Sequence, residues 1–163
     1  MDLERTFNAM LETHGRTLRR IARTHAASRG EEEDLEQEIL LRVWRALPSF
    51  RGESALGTWL YRVALNTVMT YHRSAARRPA TEGSDAAAEI PAPSDTAQRE
   101  AGVLHEFMAT LPPVDRSVLL LRLEGVGNQE IAEVLGVSTG AVGVRLHRLK
   151  KKFEEPSPRL VRC

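Results

Sequence analysis

Residues 128–153 read NQEIAEVLGVSTGAVGVRLHRLKKKF, and this stretch decides the fold. Ile131, Val134 and Leu135 recur at helical spacing and predict the inner face of one helix. Ala132 is small where a second helix has to cross close by. Gly136 supplies the left-handed residue that a tight corner between helices demands. Ser138 is placed to cap the next helix, whose Val142, Leu146, Leu149 and Phe153 keep a 4-3-4 spacing and predict a buried stripe. Its other faces carry Arg145, His147, Arg148, Lys150, Lys151 and Lys152. Together these offsets are the pattern of a helix-turn-helix. In that motif the start of the second helix meets base edges and a basic C-terminal end meets phosphates. A plain helical hairpin with a solvated basic end is the competing reading, and the corner chemistry weighs against it.

Upstream, Leu104, Phe107, Met108 and Leu111 predict an amphipathic helix closed by Pro112-Pro113. Pro113 suits the first turn of a further helix that carries Val114, Val118, Leu121 and Leu123 and ends at Gly125. Before these lies PATEGSDAAAEIPAPSDTAQ, residues 79–98, with Glu82, Asp85, Glu89 and Asp95 but no Lys or Arg, a linker by composition. Toward the N-terminus, Phe7, Met10, Leu11, Leu18 and Ile21 mark one helix, followed by a break at Ser28-Arg29-Gly30. A second helix is expected from near Glu31, with Leu35, Ile39, Val43 and Leu47 in a 4-4-4 stripe and Pro48 as its end. Ser54 is the expected cap of a third helix that runs to about Arg78 and holds Leu56, Trp59, Leu60 and Val63, with Trp59 expected in the core. No strand-like alternation occurs. The expected fold is all-α: two small helical domains joined by a flexible linker, the C-terminal one a helix-turn-helix four-helix domain. The expected bounds are 1–78, 79–98 for the linker, 99–155, and a tail at 156–163.

Among 163 residues, 23 are Lys or Arg and 22 are Asp or Glu, so the net charge of +1 confines any nucleic-acid footprint to a local patch. The 42% apolar content is enough to build cores. One cysteine, Cys163, allows no intramolecular disulfide and no cysteine metal site, which suits a reducing cytoplasm. His14, His25, His72, His105 and His147 are scattered, so no metal is expected. The charged opening MDLERTFNAM offers no secretory signal, and no apolar run reaches the roughly 20 residues of a membrane span. No phosphate-binding glycine loop, Ser/His/Asp grouping or metal spacing appears, so neither an enzyme, a cofactor nor a small-molecule substrate is expected.

Three segments outside the linker share one resemblance. Residues 34–44 (DLEQEILLRVW), 50–73 (FRGESALGTWLYRVALNTVMTYHR) and 111–148 resemble, in order, the core-binding, promoter-melting and minus-thirty-five segments of the extracytoplasmic-function (ECF) group of sigma-70 factors. The resemblance implies a cytoplasmic transcription-initiation subunit that binds core RNA polymerase at the β′ coiled coil and the β flap, recognises promoter DNA, and is controlled by an anti-sigma factor. It implies that Asp34, Leu35, Gln37, Glu38 and Arg42 face the β′ coiled coil. It places Phe50, Arg51, Gly52, Glu53, Ser54, Arg62, Asn66 and Arg73 on the melted minus-ten strand, with Tyr71, His72, Arg77 and Arg78 able to line the same groove. Thr139, Arg145, His147, Arg148 and Lys151 fall on the minus-thirty-five duplex. The acidic linker would pass toward the RNA exit path. The chain departs from the family at the recognition helix, where Gly143 and Val144 stand in place of a basic residue and a serine. That departure points to an unusual element, or to contact through Arg145, His147, Arg148 and DNA shape. A helix-turn-helix regulator with an N-terminal helical sensor domain is the alternative.

Overall fold

The computed structural model describes residues 2–77 and 96–155. Most of the expected linker, Arg78 and the 156–163 tail with Cys163 lie outside the described residues. The described chain forms seven α-helices and no strand. They are α1 (Leu3–His25), α2 (Arg29–Ala46), α3 (Leu56–Arg77), α4 (Thr96–Ala109), α5 (Pro113–Leu123), α6 (Asn128–Leu135) and α7 (Thr139–Glu154), with a 3-10 turn at Leu47–Ser49.

Local chemistry sets the helix ends. Asp2 caps α1 by accepting from the Arg5 amide at 3.3 Å. Helix α2 starts two residues earlier than the acidic run suggests. Ser28 Oγ accepts from the Glu31 amide at 3.2 Å, while the Glu31 carboxylate turns back to the Ala27 amide. This resembles a capping box, except that the carboxylate serves the amide before the cap, and it draws Arg29 and Gly30 into the first turn. Helix α3 starts at Leu56, so Ser54 lies in the preceding bend and does not act as its cap. Pro112 and Pro113 separate α4 from α5, with Pro113 in the first turn as expected. Helix α4 begins at Thr96, inside the segment read as linker.

The first three helices bury Met10, Leu18 and Ile21 against Leu35, Ile39 and Val43 and against Leu60, Leu65 and Val68. The last four bury Met108, Val118, Leu121, Ile131, Val134 and Val142. Three expected core residues do not comply. Leu123 is 53% exposed and Val114 36%, so neither belongs to the buried core. Phe153 is 42% exposed and meets Phe107 edge-on, at a ring separation of 5.1 Å.

The two helical sets also pack on each other, α3 against α6 and α1 against α4 and α5. Buried residues of both belong to one continuous apolar cluster. Polar contacts stud this joint. Thr58 Oγ1 donates to Glu130 Oε1 at 2.7 Å, and Arg62 Nη2 donates to the Glu133 carbonyl at 2.9 Å. Arg116 reaches the Thr24 carbonyl at 3.3 Å, and Arg20 pairs with Glu124.

Candidate nucleic-acid and partner interfaces

The corner between α6 and α7 takes the geometry its sequence demands. Gly136 has φ +67° and ψ 34°, the left-handed conformation, and its amide closes on the Ala132 carbonyl. Ser138 Oγ then accepts from the Ala141 amide at 3.1 Å and starts α7. Val142 and Leu149 are buried and Leu146 is half-buried, so the opposite face of α7 looks outward. That face presents Gly140, Val144, His147, Arg148 and Lys151, all exposed, with Thr139 beside it in the first turn. Arg145 differs from these residues. It is half-buried, and its Nη1 donates to Asp115 Oδ1 at 2.6 Å, so its charge is neutralised within the protein.

A second surface runs along α3. Arg62, Asn66 and Arg73 are spaced by four and seven residues, and this spacing stacks them on one exposed face. Asn66 is solvent-exposed, and Arg73 Nε approaches the Met69 carbonyl at 3.4 Å. At the N-terminal end of this face, Arg62 is held by α6. The preceding loop is anchored at its base. The Phe50 amide donates to the Leu47 carbonyl at 3.1 Å, and the Phe50 ring packs on Trp59 at 5.1 Å. Trp59 is half-buried and packed on the core, so it ties the loop to α3. From there Arg51, Gly52 and Glu53 project into solvent, Ser54 is half-buried, and Gly52 adopts φ +74°. A side chain at Gly52 would be strained even though the space around it is open.

The third surface is the outer face of α2. Asp34, Gln37 and Arg42 are exposed, and Glu38 pairs with Arg42 at 3.0 Å. Leu35 does not belong to this face. Its side chain is 0% exposed, because it opens the stripe of Ile39 and Val43 that packs inward. Two residues that the sequence reading missed take its place. Leu41 and Trp44 are each 40% exposed on the same face, and Trp44 meets the edge of Phe7 at 5.1 Å. The signal was present in ILLRVW, which holds more large apolar residues than one buried stripe can use.

Where α1, α3 and α5 meet lies a buried polar cluster that the sequence did not announce. Ser117 Oγ donates to the Pro113 carbonyl at 2.8 Å and is left to accept from His25 Nε2 at 3.1 Å. His25 Nδ1 is buried without a hydrogen-bond partner. One hydroxyl proton and one ring N–H satisfy this pair, and burial keeps His25 neutral. Desolvation by burial, reinforced by the charges of Arg116 and His72, lowers its pKa from 6.5 to about 3. Burial likewise lowers the pKa of Arg116, opposed by Glu31.

Among the described residues, no helix is long and apolar enough to cross a membrane. Residues 10–78 match the family described as Sigma-70 region 2, and residues 101–153 match Sigma-70, region 4. The RNA polymerase sigma-H factor of Pseudomonas aeruginosa is 32% identical over 146 residues, covering 81% of this chain and 76% of that one. The ECF RNA polymerase sigma-E factor of Escherichia coli is 29% identical over 98% of this chain and 90% of its own length. Two solved structures share the fold. The sigma factor RpoE of Bartonella quintana, in complex with the anti-sigma factor NepR, superposes with a TM-score of 0.71 at 21% identity, over 92% of this chain and 95% of that one. CnrH, in complex with the cytosolic domain of CnrY, gives 0.67 at 24% identity, over 92% and 86%.

Proposed function

We propose a role that follows from kinship: the chain belongs to the ECF group of the sigma-70 family of RNA polymerase sigma factors. It directs core RNA polymerase to promoters, recognises and opens promoter DNA, and is controlled by an anti-sigma factor. This membership excludes the stand-alone helix-turn-helix regulator. The chain works by binding, with no chemistry of its own, in the cytoplasm where polymerase is found.

Each surface takes one task. The outer face of α2, with Asp34, Gln37, Glu38 and Arg42 around Leu41 and Trp44, docks on the β′ coiled coil. An apolar centre ringed by charges suits that task, because the centre excludes water while the ring sets orientation. The loop from Phe50 to Ser54 and the α3 face of Arg62, Asn66 and Arg73 hold the melted minus-ten strand. Opening a duplex costs a few kcal/mol per step, and captured bases offset it through stacking and edge hydrogen bonds. Asn66 has both donors and an acceptor to offer a base edge. The α6–α7 module sits on the minus-thirty-five duplex and the β flap, using Thr139, His147, Arg148 and Lys151. Residues 1–78 form one working module, and the second, expected from residue 99, takes in the whole of α4 from Thr96 and runs to residue 155, with 156–163 as a tail.

One observation carries this reading: region 2 and region 4 occur in order on one chain, each with its exposed face. Run-off transcription with purified core polymerase tests it. Specific transcripts are expected only when the chain is added, and a mixture that starts no new transcript would overturn the assignment.

A further inference from the structure

Helix α7 carries an apolar residue where a polar reader of bases is expected. Val144 is 51% exposed and sits at the centre of the outward face, with Gly140 one turn before it and His147 and Arg148 one turn after. Nothing lies within 4 Å of where a Cβ at Gly140 or Gly143 would stand. The helix surface around Val144 is therefore low, and the backbone can come close to whatever it faces. Glycine inside a helix is destabilising relative to alanine. Two of them in the first turns of α7 offset no packing need.

The charge pattern names the occupant. Beyond Val144 the outward faces hold His147, Arg148 and Lys150 to Lys152, and α7 has no carboxylate before Glu154. Such a surface suits a polyanion. Arg145, the remaining cation, is already neutralised by Asp115. With Gly140, Gly143 and Val144 at its centre, the face has no side chain able to make paired hydrogen bonds to a guanine or adenine edge there. A major groove offers one feature to an aliphatic group, the C5 methyl of thymine.

We propose that Val144 is a specificity-determining residue that packs on the methyl group of one thymine in the upstream promoter element. Gly140 and Gly143 let the helix approach closely enough for that contact. The inference rests on the sigma-factor reading, and it names the base that this chain's departure from the family selects.

The test uses the full chain bound to core polymerase. Duplexes selected by this holoenzyme from a randomised pool define the upstream element, and each thymine in it is then replaced by uracil, which lacks only the methyl. One replacement is expected to weaken binding about fourfold, the size of one buried methyl group. The same replacement should leave the Val144→Ala holoenzyme unchanged within about 1.5-fold, because the contact is already lost. The inference is overturned if no replacement weakens native binding, or if the loss is the same in both proteins. The uracil series on native protein decides the first point without any variant. Failure to select any upstream element would instead sink the sigma-factor reading.

Discussion

Arg145 on α7 donates to Asp115 in the first turn of α5 at 2.6 Å, which makes a residue that looks like a DNA contact into a brace inside its own module. The pair is partly exposed, so its contribution to stability is about 1 kcal/mol. Arg145→Ala is expected to lower the thermal midpoint of the protein while leaving the salt dependence of promoter binding unchanged. Lys151→Ala should do the reverse, reducing the log–log salt slope by about one with no thermal effect. Scanning calorimetry and a salt titration of binding separate the two.

On α2, burial and exposure divide the labour between neighbours. Leu35→Ala empties a fully buried site and should cost about 2–5 kcal/mol of stability, read as a lower denaturant midpoint. Glu38→Lys removes only an exposed pair with Arg42, worth about 0.5 kcal/mol, yet should weaken retention on immobilised core polymerase at least tenfold. Equal retention of native and Glu38→Lys protein would remove this face from the polymerase contact.

Asn66 stands exposed in the middle of the α3 face, away from the joint. Asn66→Ala should leave core binding and stability unchanged and reduce open-complex formation about tenfold or more, measured by permanganate reactivity of melted thymines. Loss of both core binding and melting would contradict a base-reading role.

His25 makes stability depend on pH. Its imidazole takes a proton at about 3 in the folded protein and at 6.5 when exposed, so the unfolded chain is protonated first as pH falls. The stabilisation is complete above 6.5 and is lost progressively between 6.5 and about 3. At pH 5, it has fallen by about 2 kcal/mol. His25→Gln keeps a donor for Ser117 and cannot titrate, so its urea midpoint should fall less between pH 7.5 and pH 5 than the native midpoint does. Parallel falls would show that other groups carry the dependence.

Gly136 holds φ +67° with open space around it. Gly136→Ala therefore meets no clash and still costs about 1–2 kcal/mol, through backbone strain alone. Gly136→Asn, which tolerates that conformation, should recover part of the loss in the same melt.

Local chemistry was legible and distant partnership was not. The Gly136 corner, the Ser138 cap and the Pro112-Pro113 break could be read in sequence because each is decided within four residues. The Ser28 cap and the Glu31 return bond were equally local, but the acidic run after them drew the start of α2 to Glu31. The Arg145–Asp115 pair was not legible because Asp115 lies 30 residues away, and a basic residue on a recognition helix looks the same whether or not a carboxylate awaits it. Phe153 kept helical spacing but fell in the last turn of α7, where it stays 42% exposed beside Phe107. The meeting of Thr58 with Glu130, 72 residues apart, left no local trace.

The hydrogen bond from Arg62 to the Glu133 carbonyl ties two equilibria together. A nucleic-acid strand that engages the same guanidinium nitrogen competes with α6 for it. Whatever draws that nitrogen outward removes one bond between α6 and α3, and by reciprocity any agent that strengthens this bond weakens the strand's hold by the same factor. Shape and affinity in this chain are then one thermodynamic variable, measurable from either side.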